Sequence, residues 1–284
     1  MAIDVHQHLW PAPFLAALRG RSRPPRMDGW TLELAEGSYA IDPAAHDVDA
    51  RAAAARAEGL ELVCVAPSAA LGTLDEALAD AWLEGALALP RPFRAWAAPA
   101  SGAAAVAAGA IGVELPADAL LDLDRAAPLL AELEALRAPV LVHPGPVTPA
   151  PGRPAWWAPV VPYVTGLHAA WWAWTHGGRA RFGRLPVVFT ALAGLGPLHG
   201  ERHRARGGSG AGTVDPLTFV ETSSYGRQAV DAVIRVLGID VVCHGSDRPY
   251  AEPAPLDLDP AAQRALRTVN PGRLLAHVLE EVPA

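Results

Sequence analysis

Residues 3–10 read IDVHQHLW, and how this stretch folds decides how the rest of the chain is understood. It is apolar enough for a buried strand, yet it carries His6 and His8, with Asp4 two places before them. On a regular strand alternate side chains share a face. Asp4, His6 and His8 are therefore expected on one side, with Ile3, Val5 and Gln7 on the other. Paired imidazoles in an interior are either core histidines satisfied by hydrogen bonds or metal ligands, neutral imidazole being the commonest such ligand. An H-x-H at the end of an apolar strand favours metal, and it directs attention to the other strand ends.

Eight short β-rich runs alternate with longer helical patterns. The strand candidates are IDVHQHL (3–9), LELVCVA (60–66), FRAWAAP (93–99), IGVELP (111–116), PVLVHP (139–144), PVVFTALA (186–193), FVETSS (219–224) and DVVCHGSD (240–247). Most are apolar on both faces, as parallel strands covered on both sides must be. Helical patterns with acidic caps and 3.6-residue leucine spacing occupy 47–59, 73–89, 121–137, 227–238 and 259–281. The alternation predicts an α/β fold, a single (β/α)8 TIM-type barrel over residues 1–284. A doubly wound sheet competes, but no G-x-G-x-x-G follows the first strand.

Two insertions leave the C-terminal ends of strands, where barrel active sites form. After strand one, residues 19–46 hold RGRSRPPR and a hairpin pattern, WTLELAEGSYAID. After strand five, residues 145–185 hold Trp156, Trp157, Trp171, Trp172 and Trp174. These tryptophans are expected either to line a pocket mouth or to form the buried face of a helix or a subunit interface. Residues 200–215 are the one stretch expected to be mobile.

Composition restricts the remaining choices. With 51% apolar residues a 284-residue chain can bury a large core, and a net charge of -7 without a basic run argues against nucleic acid. No apolar run is long enough for a membrane span. Cys64 and Cys243 lie in apolar runs and no signal-peptide pattern precedes the first strand, so reduced thiols and a cytoplasmic location are expected.

The ends of the other strands supply two more ligand candidates. His143 closes strand five in VLVHPGP and Asp247 closes strand eight in HGSDRP. Taken singly, His143 is as well explained as a loop cap and Asp247 as a helix N-cap. At one rim with His6 and His8, they make a set suited to a divalent ion with an open position for water or substrate, Zn²⁺ first and Mn²⁺ second.

With IDVHQH, VLVHPGP, HGSDRP and the closing NPGRLL, the chain resembles the amidohydrolase superfamily over nearly its whole length. It is most similar to the amidohydrolase-related branch that includes aminocarboxymuconate-semialdehyde decarboxylase. The resemblance implies one catalytic metal held by His6, His8, His143 and Asp247, with Asp247 also handling the proton of metal-bound water. It implies either hydrolysis or non-oxidative decarboxylation of a small acid, and a homodimer, since related proteins often dimerise. Binuclear relatives commonly use a carboxylated lysine on strand four, and this sequence has no lysine at all. Glu114 in IGVELP is then expected on a strand flank, and the site is expected to be mononuclear.

Strand six departs from the family pattern. Relatives usually end it with a histidine, in a string like H-x-G-G before a proline, where this chain reads FTALAGLGP with Ala191 at the matching place. Substitutes within reach are His199, His176 and His244, and His199 is preferred because Pro197 places it near a helix start on the correct rim. Arg248 is a candidate partner for a substrate carboxylate, or else a surface ion pair. Trp156, Trp171 and His176 are expected at the substrate. The mechanism expected is attack by metal-bound hydroxide on a lactone, ester or amide, Asp247 moving the proton. Decarboxylation is the alternative, and a metal-free or non-catalytic barrel, which Ala191 favours, is the third.

Overall fold

The computed structural model describes residues 1–279 apart from 35–36, 69–70, 73, 149–151, 155 and 210–213. Eight parallel strands lie side by side in chain order: β1 (Ile3–His8), β5 (Leu62–Ala66), β6 (Phe93–Ala97), β7 (Gly112–Pro116), β8 (Val140–His143), β9 (Val187–Phe189), β10 (Thr218–Glu221) and β11 (Val242–Cys243). The last strand returns to the first. Val5 N–H donates to the His244 carbonyl (3.0 Å), Asp247 N–H to the His6 carbonyl (2.9 Å) and His8 N–H to the Arg248 carbonyl (2.6 Å). The sheet thus closes into the expected barrel with helices outside it.

The interior is filled by side chains from alternate positions: Cys64, Trp96, Leu141, Val188, Phe219 and Cys243, joined by Ile3 and Val5 of β1. The intervening residues, such as Val63, Val113, Val142 and Phe189, pack outward against the helices. The apolar-on-both-faces pattern has this physical origin.

Several helices begin where the caps predicted. Asp47 accepts from Ala50 N–H at the head of Val48–Ala57, and Asp122 from Arg125 N–H at the head of Leu123–Leu136. Helix Glu76–Leu87 is capped by Asp75, whereas Thr73, its expected first residue, lies outside the described residues. The single helix expected at 259–281 is instead broken into Pro260–Arg264, a π-turn Ala265–Val269, Asn270–Leu274 and Ala276–Leu279. Pro271 contributes to the break, because it lacks the N–H a continuous helix needs.

The first insertion forms a small antiparallel sheet of β2 (Arg26–Asp28), β3 (Thr31–Leu34) and β4 (Gly37–Ala40). The second is shorter than expected, because Pro162–Ala173 and its continuation are the barrel helix between β8 and β9. Only 144–161 is a true insertion. Strand six is also shorter than expected: β9 ends at Phe189, Thr190 N–H still bonds the Val142 carbonyl, and the chain then leaves the sheet, Ala191, Leu192, Ala193 and Leu195 all having φ between 46° and 59°. Of the stretch 200–215, residues Gly200–Ala205 form a helix and 210–213 lie outside the described residues. No helix of the described residues is long and apolar enough to cross a membrane.

Candidate metal centre

His6, His8, His143 and Asp247 converge at the C-terminal rim, their ligand atoms all within 4.8 Å of one another. The ring centroids of His143 lie 5.1 Å from His6 and 5.2 Å from His8. The Nε2 atoms of His6 and His8 are 3.1 Å apart, and Asp247 Oδ1 lies 3.1 Å from His8 Nε2 and 3.7 Å from His6 Nε2.

An irregularity in β1 makes this convergence possible. Its register against β5 shifts between Asp4 and Gln7. Strict alternation would put Ile3 and Val5 opposite His6 and His8. With the shift, all four serve the interior, while Asp4 and Gln7 share the outer side, Gln7 Nε2 donating to Asp4 Oδ2 (2.8 Å). Asp4 is therefore not on the ligands' face as expected. It ties the seam instead, accepting from His6 N–H (3.1 Å) and Ser246 N–H (3.2 Å). Arg51 reinforces the tie through Gln7 Oε1 and the His8 carbonyl.

Each imidazole has its far nitrogen occupied. His6 Nδ1 donates to Glu221 Oε1 (3.2 Å), His8 Nδ1 to the Ala66 carbonyl (3.0 Å) and His143 Nδ1 to the Pro144 carbonyl (2.9 Å). These bonds fix the tautomers so that Nε2 lone pairs face the common point, as ligands of a divalent ion require. Three imidazoles and one carboxylate fit a zinc- or manganese-like ion.

The charges are coupled. Burial alone would depress His6, but the Glu221 bond and the fields of Asp247, Glu221 and Glu114 carry it up to about 9. Burial and the neighbouring His6 charge hold His143 well below the ordinary value, and burial also lowers His8, against the pull of Asp247. Burial pushes the Asp247 carboxyl up, yet the His8 bond and the three imidazoles leave it below the usual range. At pH 7 the ion-free site therefore holds one imidazolium, on His6. Ion uptake is expected to release about one proton at pH 7, and less as the pH rises through about 9, where His6 deprotonates by itself. Calorimetry in buffers of different ionisation enthalpy measures this, and no release at pH 7 would refute the charge assignment. In the ion-free protein the same imidazolium stabilises the fold fully below about pH 6.5, and that contribution is lost as the pH rises through about 9.

The remaining predicted residues are placed less uniformly. His199 is exposed and packs edge-to-face on His168, ring centroids 4.7 Å apart, rather than on the cluster. His176 is exposed in the π-turn Trp174–Gly178, next to Trp174, whose Nε1 donates to Thr218 at the start of β10. That is the end of the barrel away from the ligands, so His176 is not at the substrate position. Trp171 is buried against Phe189 on the outer side of β9, and Trp174 stacks on Phe182. Both are core residues, because their helix belongs to the barrel wall. Trp156 remains on the rim loop, 57% exposed and tilted against Trp157. Arg248 is engaged elsewhere, with Glu58 at 2.6 Å and Glu252 at 3.0 Å, which makes it an ion-pair residue. His244 lies 3.8 Å from Asp4, outside the cluster.

Four residues of the site were not anticipated in these roles. Glu114 faces the interior, its Oε1 3.6 Å from His143 Nδ1, and does not sit on a strand flank. Glu221 orients His6, Tyr250 sets its ring 5.2 Å from that of His8, and Thr190 is buried beside Ala191. A signal for Glu221 was present in FVETSS, a carboxylate at the end of an apolar strand. Gly245 is needed beside it, since a Cβ there would lie 2.2 Å from Glu221 Oε2.

A closed parallel barrel with three imidazoles and a carboxylate at its C-terminal rim defines the class: a metal-site (β/α)8 barrel. No family model matches the chain, and no curated protein matches it by sequence. Solved structures do match. IDCase of Metarhizium anisopliae is 15% identical, with 98% of this chain and 97% of that one covered and a TM-score of 0.76. The 5-carboxyvanillate decarboxylase LigW of Sphingomonas paucimobilis is 19% identical, covering 97% and 98%, with a TM-score of 0.68. A dihydroxybenzoic acid decarboxylase of Polaromonas sp. JS666, solved with bound manganese and 2-nitroresorcinol, is 15% identical, covering 99% and 98%, with a TM-score of 0.67. The chain shares the fold of these proteins, the (β/α)8 barrel that the sequence resemblance implied.

Proposed function

We propose that this chain is a divalent-metal-dependent enzyme of the amidohydrolase type that removes CO2 from a small conjugated or aromatic acid. The convergence of His6, His8, His143 and Asp247, each imidazole fixed from behind, is the observation that carries the metal reading. The likeness to two decarboxylases of aromatic acids supports the reaction type. When bound, the ion supplies a Lewis acid that polarises a substrate oxygen and acidifies water. The chain's own part is to hold three neutral imidazoles in place, to enclose the reacting group, and to move a proton at Asp247. In decarboxylation the bond to the carboxylate carbon breaks, CO2 departs, and Asp247 passes a proton, drawn from water, to the carbon left behind.

A second reading, hydrolysis of a lactone, ester or amide, is favoured by one observation. The Asp247 carboxyl is held below the usual range and so is ionised at neutral pH, as a base that takes a proton from water must be. One assay separates the two. Protein loaded with Zn²⁺ or Mn²⁺ is offered hydroxybenzoates and related acids, and lactones and esters of the same size. CO2 release from the acids supports the first reading. New acid from the lactones or esters, with no CO2 from any substrate, supports the second. Activity on neither, in protein that holds its ion, would support a non-catalytic barrel.

A further inference from the structure

We propose that Thr190 supplies the hydrogen bond at strand six that Ala191 cannot. Three observations carry the inference, which rests on the metal reading above.

The first is position. Thr190 continues the β9 ladder, its N–H donating to the Val142 carbonyl (3.0 Å). Phe189 pairs with Val142 on one side and with Val220 on the other. One residue further on, Thr190 is level with His143 and with Glu221. Val188 packs in the barrel interior and Phe189 packs outward, so alternation turns Thr190 inward, between His143 and Glu221.

The second is its unmet hydrogen bond. Thr190 is 1% exposed, and its Oγ1 is buried with no hydrogen-bond partner among the described residues. Native interiors seldom leave a hydroxyl so, because the desolvation cost goes uncompensated. The polar groups on either side are already committed: Glu221 Oε1 accepts from His6 and from Ala191 N–H (2.8 Å), and His143 Nδ1 donates to the Pro144 carbonyl. The partner left for the hydroxyl is an oxygen of the water or substrate that completes the site.

The third is chemical economy. Ala191 offers a methyl group and an N–H already used by Glu221. A threonine hydroxyl donates a hydrogen bond but, unlike an imidazole, does not ionise near neutral pH. Strand six therefore keeps the positioning half of the missing imidazole's work and leaves proton transfer to Asp247.

The test uses T190V, which keeps the shape and removes the hydroxyl, and T190S, which keeps the hydroxyl. Thermal midpoints are measured without ion, and Zn²⁺ and Mn²⁺ affinities by competition with a chelating dye. The ion-free midpoint of T190V is expected to hold or to rise by about 2–4 °C. Its ion affinity is expected to fall about tenfold, with T190S close to wild type. A lower ion-free midpoint in T190V would show that the hydroxyl has a protein partner, and the proposal fails. It fails equally if T190V binds the ion as tightly as a wild type that does bind it. A wild type that takes up no ion overturns the metal reading first and Thr190's role with it, and that failure is visible without any variant.

Discussion

Titrated with Zn²⁺, the wild-type protein is expected to take up about one ion per chain, and His143→Ala to lose that uptake together with all activity. His143 is the informative ligand to remove. It ends β8, its ligand atom lies within 4.8 Å of those of His6, His8 and Asp247, and its Nδ1 bonds the adjacent Pro144 carbonyl and stands 3.6 Å from Glu114. The side chain therefore contributes little to the tie between β1 and β11, and the barrel should persist without it. Losing an orienting partner typically costs 10–100-fold in metal affinity. Losing a ligand outright is expected to exceed that, leaving no stoichiometric uptake at micromolar ion. Equilibrium dialysis with elemental analysis gives the stoichiometry, and circular dichroism confirms the fold. A folded His143→Ala protein with full occupancy would mean that the four side chains are not the ligand set.

How far the sequence reveals this site depends on which property of the chain carries the information. Strand ends are legible, because β-rich runs bounded by caps and turns mark where a barrel strand stops, and His8 and His143 sit at such a stop. By contrast, β11 is only Val242–Cys243, and Asp247 lies in the segment beyond it, not at the strand end expected for it. Directions within a strand were less so. The register shift in β1 follows from the way the strand pairs with β5 and with the segment after β11, so a rule of strict alternation misplaced Asp4. The tryptophans divide between the two courses open to them. Trp171, expected at the substrate, and Trp174 form the buried face of a helix, the barrel helix itself, packed on Phe189 and Phe182. His199 is expected at the site for its place near a helix start on the rim, but the segment after β9 puts it beside His168 at the surface. Thr190 is not legible in the sequence, because a threonine in an apolar strand raises no suspicion; only the structure shows its hydroxyl buried without a partner among the described residues.

Glu221→Ala is expected to be the most disruptive single change behind the ligands. Its carboxylate, fully buried at the end of β10, accepts from His6 Nδ1 (3.2 Å), Ala191 N–H (2.8 Å), Ser223 N–H (2.5 Å) and Ser223 Oγ (2.6 Å). Truncation leaves those donors in a dry interior and an imidazolium on His6 without its counter-charge. Removing one partner of a buried pair costs about 3–5 kcal/mol, and His6 in turn is expected to lose its proton near neutral pH. Metal affinity should fall as well, by about 10–100-fold, because nothing then holds the His6 ring with Nε2 inward. Glu221→Gln separates the two effects. The amide keeps the volume and one acceptor oxygen but carries no charge, and its NH2 must face donors. Urea denaturation of both ion-free variants, together with Zn²⁺ titration, reads the outcome. If Glu221 orients His6 through its charge, Gln should recover much of the stability but little of the affinity, and the proton released on ion uptake at pH 7 should disappear. If Gln restored affinity and proton release together, the carboxylate would be a packing element alone, and His6 would owe its charge to Asp247.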